Sequence, residues 1–575
     1  MKSRSFVLSA IILALGGFFA KAIGALYKIP LTNILGSSGM GLYYLIFPVY
    51  SLVITFCSSG ISVGLSTEVA KCRKMRHRYN EQKLMRVALV LSFVLSLIFA
   101  FIILIIARPL ADAQGNVNAS LGYIAIAPAI IISSIIATLR GYFQGVENMV
   151  PTTVSMIIEQ IVKLSFGLIL AHKLCIYGIQ YAVLGAIIGV TISEVVALII
   201  ISINFFTFKG QLYYNYRNMC YKGKKKIKIK SLLKSKDIVC KLTQSNIKKR
   251  YYKCSSIHVR YSTKVALGKL LKVVVPATLS SIIIPIATMI DSFIIINLLI
   301  KSGYSSTIST SLYGLWGGIV QTLISLPIIV IAGVSTSLVP SLSGVVAGKD
   351  VERVNRRVQF FIKITWVLAV AMFIVVFVFA EDILYFLYGD GLHSDVINEL
   401  YYATKMLKMA SVSIIYFAFM QTFTAILQSI GKSHIPFISL LISVIVRVLL
   451  TIVLVSMPSI NIFGAIIAQS VFLSLSTILM AVYLKRHVDF EFNSWKELFS
   501  PLIAGAGSMA IMLLLHMGLS NIIHYFISMI ITAIIGLIIF VIWVYYGKVF
   551  NEREKKQFFF RKKSLTNGKN KQKVS

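Results

Sequence analysis

The chain has 575 residues, of which 57% are hydrophobic and only 13% charged. A soluble globular chain is roughly 45–50% apolar and about 25% charged, so a water-soluble fold would leave far too much apolar surface in water. The net charge is +37, from 57 Lys and Arg against 20 Asp and Glu. In a soluble protein that balance would point to nucleic acid; here the cations gather in alternate loops, the positive-inside pattern of a membrane protein, and no nucleic-acid partner is expected.

About fourteen apolar stretches follow one another, nearly all near the ~20 residues that a helix needs to cross a bilayer. The expected spans are 5–27, 40–69, 87–107, 121–142, 152–171 and 179–206, then 273–300, 311–340, 360–380, 400–430, 436–456, 463–484, 501–516 and 522–546. Lys2 and Arg4 precede the first stretch as in a signal peptide, but the apolar run continues to Tyr27 without a clear small-residue cleavage site and reads as a retained helix. Lys71, Arg73, Lys74, Arg76, Arg78, Lys83 and Arg86 fill the second loop, and Lys555, Lys556, Arg561, Lys562 and Lys563 the tail. The loop with Asp382, Asp390 and Asp395 is acidic. Both ends therefore read as cytoplasmic, which requires an even number of spans. The six cysteines, Cys57, Cys72, Cys175, Cys220, Cys240 and Cys254, form no CxxC and predict neither a zinc site nor a structural disulfide.

The chain repeats itself. Leu42-Tyr43-Tyr44-Leu45 is echoed by Leu312-Tyr313-Gly314-Leu315, and Ile61 to Ala70 by Ile331 to Pro340, both at the same offset along the chain. Asn148-Met149-Val150-Pro151 is echoed at a somewhat larger offset by Ser433-His434-Ile435-Pro436, as insertions in the second half would produce. Two parallel six-helix units are a transporter-like plan with a central cavity between lobes. The expected organisation is a first lobe over 1–207, a basic cytoplasmic linker over 208–264, a second lobe over 265–486, two further helices over 487–547 and a basic tail over 548–575. The linker, with its run Lys224 to Lys230, reads as a solvated segment that fixes topology or as a surface for anionic membrane lipids.

Charges within the apolar stretches are expensive, about 2.5–3.5 kcal/mol for a Lys near the bilayer centre, and are the first candidates for function. Lys21 lies in the first span, either snorkelling or facing the cavity; Gly16, Gly17, Ala20 and Gly24 predict close helix packing beside it. Asp291 in the seventh span stands at the repeat offset from Lys21, so the two are candidates for a pair across the cavity, with a structural contact as the other reading. Glu159 and Lys163 share a face of the fifth span and predict an internal ion pair. Glu194 in the sixth span has no obvious local partner and reads as a partner of Lys163 or a site for a proton or cation. Arg447 in the eleventh span lies near the repeat equivalent of Lys163; it suits either a phosphate gripped bidentately or a buried pair with an acid. Arg140 and Glu68 sit at cytoplasmic helix ends as interfacial or gating residues, and Lys405 and Lys408 lie in the tenth span. The excess of cations suits an anionic substrate. No Walker, HExxH or GxSxG motif and no clustered His occur, so neither an enzyme nor a cofactor or metal site is expected.

Residues Ala20 to Pro30 (AKAIGALYKIP), Asn33 to Gly36 and Gly41-Leu42-Tyr43, with Arg140 to Gly145 before Pro151 and Gln428 to Lys432 before Pro436, resemble the bacterial polysaccharide flippase family. The likeness is to its branch of stage V sporulation protein B and Gram-positive lipid II flippases, within the multidrug/oligosaccharidyl-lipid/polysaccharide superfamily. The resemblance implies an all-α integral membrane protein with two pseudo-symmetric six-helix lobes around a V-shaped central cavity, plus two C-terminal helices, working by alternating access. It implies a polyprenyl-diphosphate-linked saccharide as substrate, and Lys21 stands where relatives of the lipid II flippase type place a basic residue in the first helix. The intramembrane charges themselves make Lys21, Lys163 and Arg447 the candidate substrate-binding cations and Asp291, Glu159, Glu194 and Arg140 the candidate ion-coupling or gating groups. Cell-wall synthesis proteins are candidate partners. The eighth span lacks the basic residue that some relatives carry, and the long linker is unusual for the family. The rival expectations are a cation-coupled drug extruder and a non-transporting cell-wall or spore assembly protein.

Overall fold

The computed structural model describes residues 2–75, 77–232, 260–346, 351–389, 398–487, 495–547 and 549–550. Among these all regular structure is helical. Thirteen helical stretches are long and apolar enough to cross a membrane, and one of them, Leu15–Lys74, is broken at Gly36 into two, which makes fourteen spans.

The first two spans share the helix Lys2–Ile54, which continues through a π turn at Thr55–Ser59 into Gly60–Lys74. The third to sixth are Arg78–Ala113, Ser120–Gly145, Val150–Leu174 and Ile179–Leu232. The seventh is Thr263–Ser281 with Ile283–Lys301. The eighth runs through Ser306–Gly314, a π turn at Leu315–Val320 and Gln321–Val346. Val351–Val378, Glu399–Ser429, His434–Val455, Phe463–Lys485, Trp495–Leu519 and Tyr525–Tyr546 complete the set.

Several boundaries differ from expectation. No loop separates the first two spans: the chain turns at Gly36, whose φ of 64° and ψ of −175° lie where a side chain would be strained. Beside the turn Asn33 donates to the Leu387 carbonyl of the second lobe at 3.0 Å. The sixth helix runs on to Leu232, so 208–232 of the expected linker is helical, and 233–259 lie outside the described residues, as does the tail from 551. The seventh span starts earlier, at Thr263, where the Ser262 hydroxyl caps it by accepting from the Val265 amide at 3.3 Å. It bends at Ile282, between Pro276 and Pro285. A short helix, Ala380–Tyr388, precedes the tenth span; Asp390 and Asp395 of the acidic loop lie outside the described residues.

The duplication shows in the packing. In the first lobe the first span packs on the fifth, the second and third on the fourth, and the fourth and fifth on the sixth. In the second lobe the seventh packs on the eleventh, the eighth and ninth on the tenth, and the tenth and eleventh on the twelfth. The thirteenth span is tied to the ninth by a buried pair, with the Lys363 amine 2.8 Å from Glu497.

One end of the bundle carries the Gly36 turn and the other the break between the sixth and seventh spans; these are termed the Gly36 face and the linker face. Toward the Gly36 face both lobes share one apolar core, in which Tyr27, Leu31, Met40 and Tyr43 meet Tyr313, Trp316 and Ile319. Toward the linker face that core divides. One branch joins Ile61, Leu65 and Phe143 to Leu270 and Val274 of the seventh span; the other, around Val358, Ile426 and Leu473, belongs to the second lobe alone. The lobes thus share one core at the Gly36 face, while toward the linker face only the first half of the seventh span stays packed on the first lobe. At each end glycines let the backbones touch: a Cβ on Gly41 would stand 2.1 Å from the Thr310 carbonyl oxygen, and one on Gly60 1.9 Å from the Thr278 hydroxyl.

Candidate functional site

The first span lies so close to the fifth that a Cβ on Gly16 would stand 2.0 Å from the Thr153 methyl and one on Gly24 2.8 Å from the Gln160 amide oxygen. This approach, expected from the small residues, carries the Tyr27 ring onto the fifth span. The Lys163 ammonium sits 5.3 Å from the centre of that ring and 5.2 Å from the centre of Phe47. Such contacts are worth about 0.5–2 kcal/mol and leave the three N–H donors unused. Among the described residues Lys163 makes no hydrogen bond and no ion pair, and it is only half-buried.

Lys28, which the sequence reading passed over, joins it. Its amine donates to the Tyr44 hydroxyl, and that hydroxyl lies 3.5 Å from Thr322 of the eighth span. Lys28 therefore stands where the lobes meet. Lys21 is seven residues earlier, two helical turns toward the linker face on the same stripe, and its side chain is exposed. The spacing of seven between two lysines was the signal available in the sequence.

The expected Glu159–Lys163 pair does not form. Glu159 is held by Arg140 at 2.8 Å, and the same guanidinium donates to Ser155 at 3.0 Å. The fork of an arginine meets a carboxylate and a hydroxyl together, which an ammonium on the same helix cannot match. Gln160 also donates to Glu159, at 3.1 Å. Glu194, 6% exposed, accepts a hydrogen bond from the Tyr50 hydroxyl, which in turn lies 3.2 Å from Ser133. Its second carboxylate oxygen has no hydrogen-bond partner. Glu68 pairs with Lys71 at 2.6 Å at the end of the second span.

In the second lobe Asp291 and Arg447 form a buried ion pair, and the guanidinium lies 5.6 Å from the centre of the Phe472 ring. Asp291 therefore meets Arg447 within its own lobe, not Lys21 across the cavity, and Arg447 is the buried partner of an acid. Lys405 rests over Tyr401, 4.2 Å from the ring centre. Two further contacts were invisible to sequence reasoning: Lys363 with Glu497, and Ser37, which donates to the buried Glu399 of the tenth span.

The seam at the Gly36 face is polar as well as close-packed. Asn116 donates to Thr310 at 3.0 Å, Asn297 to the Ala113 carbonyl at 2.8 Å, Ser306 to the Gly115 carbonyl at 3.0 Å and Gln114 to Ser292 at 3.0 Å. All four bonds cross between lobes. Lys28 stands at this seam through Tyr44 and Thr322, and the exposed Lys21 lies two helical turns from it toward the linker face.

Residues 6–233 match the polysaccharide biosynthesis protein family and residues 276–453 match the MatE family. Stage V sporulation protein B of Bacillus subtilis is 26% identical over 482 residues, 84% of either chain. Lipid II flippase MurJ of the same organism is 22% identical over 509 residues, 85% of this chain and 84% of its own. Among solved structures, lipid II flippase MurJ in an inward closed conformation superposes with a TM-score of 0.66 at 14% identity, covering 93% of this chain and 99% of that one. The chain carries a polysaccharide biosynthesis protein domain followed by a MatE domain, is homologous to stage V sporulation protein B and lipid II flippase MurJ, and has the fold of MurJ and of MATE transporters of the MOP superfamily.

Proposed function

We propose that this protein carries a polyprenyl-diphosphate-linked saccharide, lipid II or a related cell-wall precursor, across the cytoplasmic membrane by alternating access, with the linker face in the cytoplasm. The observation that carries the reading is the Lys163 ammonium, held by two aromatic faces with every donor free. An ammonium in that state is a receptor for an anion's oxygens, and a diphosphate supplies several. Lys28 is its neighbour, and Lys21 is the one of these three lysines that lies nearest the linker face. Arg447, already neutralised by Asp291, then acts on the stability of the second lobe rather than on the substrate.

The physics supports such a path. Sugar hydroxyls and a diphosphate lose their hydrogen bonds in hydrocarbon, and a wet cleft with cations removes that penalty. A potential negative inside favours outward movement of an anion by about 2.3 kcal/mol per charge per 100 mV. The test is exposure of lipid II on the outer leaflet of cells depleted of their own flippase. Expression of this chain should restore exposure, and Lys163→Met should abolish the restoration at normal membrane levels. Absence of restoration by a folded, membrane-inserted protein would overturn the lipid II assignment; efflux of amphiphilic cations instead would place the chain among drug extruders.

A further inference from the structure

We propose that Glu194 is a proton-binding site whose occupancy answers to the charge at Lys163, so that an anion on Lys163 and a proton on Glu194 favour one another. The inference rests in part on the reading of Lys163 as an anion receptor.

The groups facing Glu194 are few. The second span contributes Tyr50, the fourth Ser133 and Arg140, and the fifth Glu159 and Lys163, with Lys28 of the first span beyond Lys163. The Tyr50 hydroxyl has one proton, which it donates to one carboxylate oxygen; Ser133 then donates to Tyr50. The other carboxylate oxygen is buried and makes no hydrogen bond among the described residues, with the Ser133 hydroxyl the nearest side-chain donor beside Tyr50. An ionised carboxylate in that position is short of hydrogen bonds and has no direct counter-ion, which is costly in a membrane interior. Arg140 is committed to Glu159, whose carboxylate also faces Glu194. That leaves Lys163 as the unpaired cation within electrostatic reach of Glu194.

Two charges that attract without touching make a sensitive arrangement. While Lys163 is free, its positive charge offsets the carboxylate. When a diphosphate oxygen binds Lys163 the offset is lost, and Glu194 takes a proton from water on its unpartnered oxygen, becoming a neutral acid that still accepts from Tyr50. By linkage the same coupling runs backwards: a protonated Glu194 no longer competes for the field of Lys163, and the anion binds more tightly.

The experiment is an infrared titration of the purified full-length protein in detergent, following the C=O stretch of protonated carboxyl groups. Without ligand, the wild type should show a carboxyl band that disappears as pH rises and is missing in Glu194→Gln. In Lys163→Met the band should persist to a pH higher by about one unit, and Tyr50→Phe should move it the same way, which keeps the test intact if one variant fails to fold. Farnesyl diphosphate added to the wild type should make the band grow and should bind more tightly as pH falls, while Glu194→Gln binds it without pH dependence. A wild-type spectrum identical to that of Glu194→Gln, or a band unmoved by both Lys163→Met and Tyr50→Phe, overturns the proton site. A normal ligand-free titration with no binding of the diphosphate overturns instead the anion-receptor reading and the linkage built on it.

Discussion

The two lobes share one plan of packing but use its equivalent places oppositely. Lys21 and Asp291 stand at the repeat offset on the first and seventh spans, and Lys163 and Arg447 stand on the fifth and eleventh. In the second lobe these positions hold an acid and a base that neutralise each other in the interior. In the first they hold two cations, neither of them paired. The helices on which the charges ride are the same; the difference is one of sign at a single position. One lobe is thereby closed on itself and the other is left with charge for an outside partner.

The strongest way to break this comparison is through stability. Asp291→Ala or Arg447→Ala should each cost about 3–5 kcal/mol, because a buried charge is left alone, whereas the double variant Asp291→Leu/Arg447→Met should recover most of it. Thermal unfolding of the detergent-purified protein reads both, and a single variant as stable as the wild type would show that the pair is not what holds the second lobe. Next is Lys163→Met, which should lower lipid II exposure at least about tenfold, the equivalent of 1.4 kcal/mol, with an unchanged unfolding temperature. Equal losses of stability from Lys163→Met and Arg447→Ala would erase the contrast between lobes. Gly314→Val should hold the Gly36 face apart, since a Cβ there stands 2.0 Å from the Ser37 carbonyl oxygen; thiol labelling at Ser37→Cys should then speed up severalfold. The smallest effect belongs to Lys21→Ala, about two- to threefold on transport, because an exposed charge is worth less than about 1 kcal/mol.

How much of this was legible in the sequence follows from what lipid demands. The spans were, because a bilayer admits only helices that satisfy their own backbone. The sporadic charges were visible for the same reason, but their partners were not. Helix spacing proposed Lys163 for Glu159, and an arginine on the neighbouring fourth span took the carboxylate instead. The repeat offset proposed Lys21 for Asp291, although the duplicated packing of the seventh span on the eleventh brings Arg447 to it. Lys28 was missed because the first span was ended at Tyr27, whereas the helix runs on through Pro30. Glu497 escaped because the thirteenth span was started at Pro501, whereas the helix begins earlier, at Trp495. Partnership between helices is a property of tertiary geometry, which composition and period do not encode.

The π turns have a consequence of their own. Each holds one residue more than an α-helical turn requires, and each adjoins a glycine at the lobe boundary: Thr55–Ser59 precedes Gly60, which lies on Thr278, and Leu315–Val320 follows Gly314, which lies on Ser37. A surplus residue in a helix acts as a dislocation does in a crystal. Gliding it by one turn exchanges hydrogen bonds a few at a time and turns the residues it passes by about 100°, without changing the length of the rod. The two bearing surfaces on which the lobes rest are thus each set beside an adjustable thread, one at either end of the bundle.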